Sequence, residues 1–330
     1  MKPSALNFLV CPACKTDLNL HAKSHDGLEI VEGKLQCLQC GRTYPITRRV
    51  PRFVPDESYA ASFGREWNWF SVVQLDSQNG TRESEATLEA TTGWTDKDYQ
   101  GSLVLDVGVG AGRFAEIVAN KGGEVVGIDL TTAVDAAYKS LGARERIHLV
   151  QANLFEMPFR KEAFDLVYSV GVLHHTPDTR AAFDRAAEMV KPSGSLAVYL
   201  YDRYGISYHF SDMIRTVTTR LPLRMVFVLS MVAIPLYYLY RVPKLGGVLH
   251  TLAPISMHRN WRWRWLDTFD WYTPKYQWKL LYPEVHRWFR KCGFHHIRLG
   301  DEPIRMSGRK LERRRPLAET DVPQADRLAS

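Results

Sequence analysis

Five cysteines occur in the chain, and four of them form two short knuckles, Cys11-Pro-Ala-Cys14 and Cys37-Leu-Gln-Cys40, separated by residues 15–36. Thiolates are soft ligands that hold zinc tetrahedrally, and two CxxC pairs at this separation can bring four of them together around one ion. A module of about 50 residues has little core of its own, so a metal or disulfides must supply much of its stability. Disulfides are the weaker reading, because nothing in the sequence points to an oxidising compartment. A second chemical signal is Asp106, followed by Gly108, Gly110 and Gly112 and then Phe114. Glycines at a strand-to-helix turn let backbone amides approach a ligand closely, and a carboxylate just ahead of them suits a ligand with cationic groups while repelling a pyrophosphate. Asp129 ends the run Glu124–Ile128 with a second acid.

These residues have to be positioned by alternating strands and helices. Residues 103–107, 124–129, 147–153, 164–170 and 196–201 read as strands, with helical segments between the earlier ones. Residues 178–190 form an amphipathic helix, and Lys191 to Ser195 a tight turn into the last of these strands. The pattern predicts an α/β, doubly wound Rossmann-like sheet with ligands at the carboxyl ends of its strands, where Asp106, Asp129, Asn153, Ser169 and Val170 fall. Pro283 opens a further helix whose apolar face carries Val285, Trp288, Phe289 and Cys292, the fifth cysteine, read as a buried core residue. Residues 296–299 and 304–307 supply a terminal hairpin.

With the motifs in place, the chain resembles class I S-adenosylmethionine-dependent methyltransferases of the quinone-pathway type. The resemblance rests on Asp106 with its three glycines, on Asp129, and on the run Phe164-Asp165-Leu166-Val167-Tyr168-Ser169-Val170-Gly171-Val172-Leu173-His174-His175. It implies cofactor contacts at Asp106, Gly108, Gly110, Gly112, Phe114, Asp129, Leu130, Asn153, Leu154, Ser169 and Val170. Asp129 would take the ribose hydroxyls and Asn153 the adenine amino group, although Asn153 stands where the family usually has Asp. His174, His175 and Tyr201 are the candidate catalytic residues, with Asp202 beside them. The N-terminal segment, through Cys40-Gly41-Arg42-Thr43-Tyr44-Pro45-Ile46 and Val50-Pro51-Arg52-Phe53, resembles the small zinc-ribbon family that serves as activator subunits of methyltransferases, here fused in cis. Its four thiols imply a closed structural zinc site.

The expected organisation is a zinc ribbon at 1–56, a linker and cofactor-covering segment at 57–100, and the cofactor-binding core at 101–201. An apolar helical insertion or lid follows at 202–260, then the C-terminal part of the core at 261–310 and a flexible tail at 311–330. Phe63, Gly64, Arg65, Glu66, Trp67, Asn68, Trp69 and Phe70 either fold over the cofactor or dock the domains. Residues 221–240 are almost wholly apolar, interrupted by Pro222 and Pro235, and admit three readings: a buried lid, a helix resting on a membrane surface, or a single span.

The net charge is +7 and the pI about 9.1, with part of the excess in Arg305, Arg309, Lys310 and Arg313 to Arg315. Such a balance permits nucleic acid or anionic membrane as a partner without requiring either. No apolar leader precedes Cys11, so the cytoplasm, or the inner face of a membrane, is the expected location. The favoured reading is methyl transfer to a small, apolar or amphipathic, even lipid-like acceptor. RNA methylation and a non-catalytic cofactor-binding scaffold are the alternatives.

Overall fold

A computed structural model describes residues 1–54, 64, 67–203, 207–301 and 303–312. Expectations for Phe63, Arg65, Glu66, Arg313 to Arg315 and the rest of the tail lie outside the described residues. The N-terminal part is an antiparallel sheet of β1 (Leu18–Asp26), β2 (Glu29–Cys37), β3 (Thr43–Thr47) and β4 (Val50–Pro51), in that spatial order. The first knuckle precedes β1, and the second spans the end of β2 and the turn into β3, so both arrive at one end of the sheet.

A second sheet is built from β5 (Leu103–Val107), β6 (Glu124–Asp129), β7 (Ile147–Gln151), β8 (Phe164–Val170), β9 (Val190–Leu200), β10 (Phe294–Leu299) and β11 (Ile304–Lys310). Its order is β10-β11-β9-β8-β5-β6-β7, with the strands from β9 to β7 parallel and β11 antiparallel to both neighbours. The chain winds from β5 outward through β6 to β7, then returns to build β8 and β9 on the other side. That reversal leaves a crevice at the carboxyl ends of β5 and β8, where ligands bind in such sheets. Val104, Leu105, Val125, Val126 and Val167 are fully buried, as parallel strands covered on both faces must be.

Two local expectations need correction. Lys191 to Ser195 do not form a turn ahead of the strand. They lie within β9, where the register against β8 slips between Phe164–Val190 and Leu166–Ser195, and Ser193 takes a φ of 65°. The extra residues bulge because pairing resumes on both sides of them. Cys292 lies at the margin of the core and not inside it: half-buried and packed against the apolar cluster, it caps the helix Tyr282–Lys291, and its thiol donates to Asp184 Oδ1 at 3.2 Å.

The small sheet joins the large one at an exposed edge. Phe53 N–H donates to the Gln151 carbonyl at 2.8 Å, Arg52 bridges β7 as an added parallel strand, and Val10 N–H donates to the Pro158 carbonyl at 2.9 Å. Arg52 is buried, and its guanidinium donates to Gln151 Oε1 at 2.6 Å and to Asp135 at 2.7 Å. Leu9, Ile30, Leu35 and Ile46 share one apolar cluster with Val107, Ile128, Val150 and Phe159. An unpaired edge strand is a liability, and the ribbon covers it.

After β9 come the helices Ser207–Thr218, Leu223–Ser230, Ala233–Tyr240 and Leu245–Leu252, then a longer helix, Trp261–Tyr272. Pro222 caps the second of these and Pro235 lies in the first turn of the third, positions where a missing N–H costs little, so the two prolines divide the apolar run into two helices. Trp69, Phe70, Phe227, Trp265 and Phe269 form an aromatic seam that fastens the insertion to helix Trp261–Tyr272, with Phe227 4.4 Å from both Trp69 and Trp265.

Candidate cofactor cavity and metal centre

Gly108, Gly110 and Gly112 have φ values of 86°, 53° and 90°, a backbone conformation that only glycine adopts without strain. A Cβ on Gly108 would lie 2.4 Å from Val172, and one on Gly112 2.5 Å from Leu141. The turn feeds the helix Arg113–Asn120 and borders a cavity of about 370 Å³ at the carboxyl ends of the strands. Gly108, Gly110, Phe114, Asp129, Leu130, Asn153, Leu154, Val170, His175 and Tyr201 line it. Asp129 is fixed from two sides, accepting from Gly110 N–H at 3.1 Å and from Thr131 N–H and Oγ1 at 2.9 and 2.7 Å. Burial pushes its pKa up, opposed by those hydrogen bonds. Asn153 Oδ1 accepts from Phe155 N–H at 3.0 Å, which leaves one lone pair of that oxygen for an adenine amino group.

Five expected site residues do not reach the cavity. Asp106 is buried behind it, 2% exposed, and accepts from the Tyr168 hydroxyl at 2.8 Å. Burial pushes its carboxyl up to about 7. Gly112 meets the helix Ala133–Leu141 instead of a ligand. Ser169 donates to the Val107 carbonyl at 2.8 Å and ties β8 to β5. His174 is fully buried, with no hydrogen-bond partner at either ring nitrogen, and stacks on Tyr201 at 3.9 Å. Desolvation holds it neutral. Asp202 is buried as well, accepting from Tyr208 at 3.3 Å.

The insertion is a further correction: among the described residues, none of 202–260 lines the cavity, and the wall expected of it is helix Trp261–Tyr272. Trp263, Leu266, Asp267, Asp270 and Trp271 from that helix line the cavity together with His175, Tyr199, Tyr201, Arg113 and Arg305. Trp263, Leu266 or Asp267, and Asp270 recur at helical spacing, a face that mixes apolar side chains with carboxylates and was readable as a site on that ground. Arg113 and Arg305 had no comparable signal. Burial raises the pKa of both acids, and for Asp270 the neighbouring Asp267 adds to it, while Arg113 opposes the shift in each. Asp270 Oδ1 is buried with no hydrogen-bond partner. His175 Nδ1 lies 2.9 Å from the Tyr276 carbonyl, so Nδ1 carries the proton and Nε2 is the basic nitrogen. Its pKa falls to about 4, chiefly through desolvation. The aromatic segment ahead of the core divides its work: Trp67 lines the cavity against Gly110, whereas Trp69 and Phe70 join the seam.

At the other end of the molecule, the Sγ atoms of Cys11, Cys14, Cys37 and Cys40 all lie within 4.8 Å of one another. Cys11 and Cys40 are 3.7 Å apart and Cys14 and Cys37 3.3 Å, near the roughly 3.8 Å edge of a tetrahedron with Zn–S bonds of 2.3 Å. Tyr44 hydroxyl, 3.3 Å from Cys11 Sγ, and Cys40 N–H, 3.4 Å from Cys37 Sγ, supply the outer hydrogen bonds usual at such sites. The four thiols fit a closed structural zinc.

A Rossmann-like sheet with an acid-tipped second strand, a glycine turn and a cavity at the switch point defines a nucleoside-binding α/β protein. Residues 105–198 match the methyltransferase domain family, and residues 2–48 match the family described as Trm112p-like protein. The chain thus carries a class I S-adenosylmethionine-dependent methyltransferase domain behind an N-terminal Trm112-like segment. Among curated relatives, the ubiquinone biosynthesis O-methyltransferase of Paracidovorax citrulli is 35% identical over 31% of this chain and 45% of its own length. Phosphoethanolamine N-methyltransferase 2 of Caenorhabditis elegans is 32% identical over 32% of this chain and 25% of its own. The chain therefore spans less than half the length of either. A solved complex of the Haloferax volcanii Trm112 methyltransferase activator with a methyltransferase is 16% identical, covers 74% of this chain and 79% of that chain, and has a TM-score of 0.41.

Proposed function

We propose that the protein transfers the methyl group of S-adenosylmethionine to an oxygen or nitrogen of a small amphipathic acceptor held under helix Trp261–Tyr272. The observation that carries this reading is the cavity lining itself, where Asp267 and Asp270 of helix Trp261–Tyr272 join His175, Tyr199 and Tyr201 beside Trp263 and Trp271. When bound, the cofactor supplies an electrophilic methyl on a sulfonium, and transfer is an in-line displacement that needs the nucleophile aligned and water kept out. The glycine turn and Asp129 hold the cofactor's position, and the tryptophans grip and dry the acceptor. Arg113 and Arg305 orient a polar group on it. Asp270 takes up the proton that the acceptor's hydroxyl or ammonium releases, being a buried carboxylate whose raised basicity suits that task. The curated relatives include both O- and N-methyltransferases, so either acceptor atom is compatible with the family.

The test is mass spectrometry of cell extract after incubation with purified protein and cofactor bearing an isotopically labelled methyl group. Label in a small organic molecule is the expected result. Label confined to tRNA or rRNA, or cofactor binding without any transfer, would overturn the reading.

A further inference from the structure

The insertion is apolar on two faces, and among the described residues only one of them is covered. Along Leu223–Ser230 and Ala233–Tyr240, Val226, Ser230, Ala233 and Tyr240 are buried at helical spacing, turned toward the aromatic seam and the rest of the insertion. The opposite face presents Met225, Val228, Leu229, Val232, Tyr238 and Leu239, each between 42% and 71% exposed. Helix Leu245–Leu252 extends the surface with Leu245, Val248 and Leu252, and Ser207–Thr218 with Met213 and Val217. Isolated apolar side chains at a surface need no explanation, but a contiguous patch carried by four successive helices does.

Charge identifies what covers it. Between residues 213 and 266 the sequence has eight arginines and lysines and no aspartate or glutamate. Arg220, Arg224, Arg241, Lys244, Arg259 and Arg262 among them are exposed, flanking the apolar run at both ends. Tyr238 and Trp261, 71% and 46% exposed, are amphipathic aromatics of the kind that settle at a membrane–water boundary. A second protein would bring its own acids to such a rim, whereas an anionic bilayer offers hydrocarbon for the patch and phosphates for the rim together.

A span is excluded by topology. Leu223–Tyr240 has the length and hydropathy of one and is only 22% buried. Yet β9, which precedes it, pairs directly with β11, which follows it, through Leu196–Gly308 and Leu200–Ile304. A single crossing would put paired strands on opposite sides of the bilayer.

We propose that helices 207–252 form an interfacial docking surface that seats the protein on anionic lipid membranes, apolar face down and basic rim against the headgroups. The experiment is flotation of the full chain with vesicles of phosphatidylcholine alone and of phosphatidylcholine with phosphatidylglycerol, at low and high salt. Binding to the anionic vesicles about ten-fold or more above the neutral ones, reduced by salt, is expected. The exposed substitutions Val228→Glu and Tyr238→Glu together should abolish flotation while cofactor affinity, measured by calorimetry, stays within about two-fold of wild type. Equal partition to both vesicle types, no flotation, or undiminished flotation of the double variant would each overturn the proposal. So would a wild-type dimer in solution that the double variant converts to monomer while lipid leaves it unchanged.

Discussion

At the scale of single residues, two buried carboxylates make opposite contributions. Asp106 has no countercharge in contact, and its carboxyl is raised from an unfolded value of 3.8 to about 7 by burial. Below pH 4 it is protonated in both states and costs nothing. Between pH 4 and 7 the unfolded state ionises first, so stability is lost as pH rises through the folded value. Asparagine can still accept from Tyr168 and carries no charge, so Asp106→Asn is expected to exceed wild type by about 2–4 kcal/mol at pH 8, the gap narrowing to about 1 kcal/mol or less by pH 4.5. Denaturant melts of the cofactor-free protein at the two pH values measure this, and an equal gap at both would show that the carboxyl is not desolvated. Asp270 is raised too, but it lines the cavity, where the proposed transfer draws on its basicity. With the native acceptor, Asp270→Asn should lower kcat about 10²- to 10⁴-fold with the cofactor Kd little changed. The wild-type rate should rise with pH above the ordinary carboxylate range as the acid ionises, and the variant should lose that rise. A flat wild-type profile would remove Asp270 from the chemistry.

At the scale of elements, the ribbon acts on the cofactor site through the edge it covers. Val10 and Lys15 hold the carbonyls of Pro158 and Met157, and Arg52 and Phe53 hold Gln151, so residues 151–158, which include the cavity residues Asn153 and Leu154, are fixed between the two sheets. A four-stranded sheet this small depends on its four-thiol centre for much of its stability. Removing zinc with a chelator is therefore expected to unfold the ribbon and weaken S-adenosylmethionine binding by about ten-fold, with recovery on adding zinc back. Calorimetric titration before and after chelation checks it. An unchanged affinity in metal-free protein would mean that the 151–158 loop is held by the core alone.

At the scale of the whole molecule, the ribbon and the core share one apolar cluster instead of meeting across a polar seam. The expected organisation treated residues 1–56 and 101–201 as separate units, and their sequence signals are indeed separate. Their burial is joint, because Leu9, Ile46 and Tyr44 have too few partners in a four-stranded sheet to be covered by it. Scanning calorimetry of the zinc-loaded protein should accordingly show the ribbon and the large sheet unfolding in one transition, with chelation splitting off or removing part of its enthalpy. Two transitions in the zinc-loaded state would show the shared cluster to be energetically weak.

The amino-acid sequence by itself determined the features that depend on near neighbours. The knuckle spacing, the glycine turn after β5, the acid ending β6 and the period of the helices are local, and each appears in the structure close to where its signal lies. Tertiary structure decided which of those residues face the ligand and which support the ones that do. Asp106, Ser169 and His174 carry the right chemistry, but Asp106 and Ser169 are tied between the paired parallel strands β5 and β8, and His174, in the turn after β8, is buried against Tyr201. The same holds for residues 202–260, whose apolar character was plain. Whether they wall the cavity or look outward depended on helix Trp261–Tyr272, which takes the inner position through Trp265 and Phe269 and leaves the insertion's second apolar face to the outside. Hydrophobicity is non-directional, so composition says that a surface will be covered, and only the packing of the whole chain says by what.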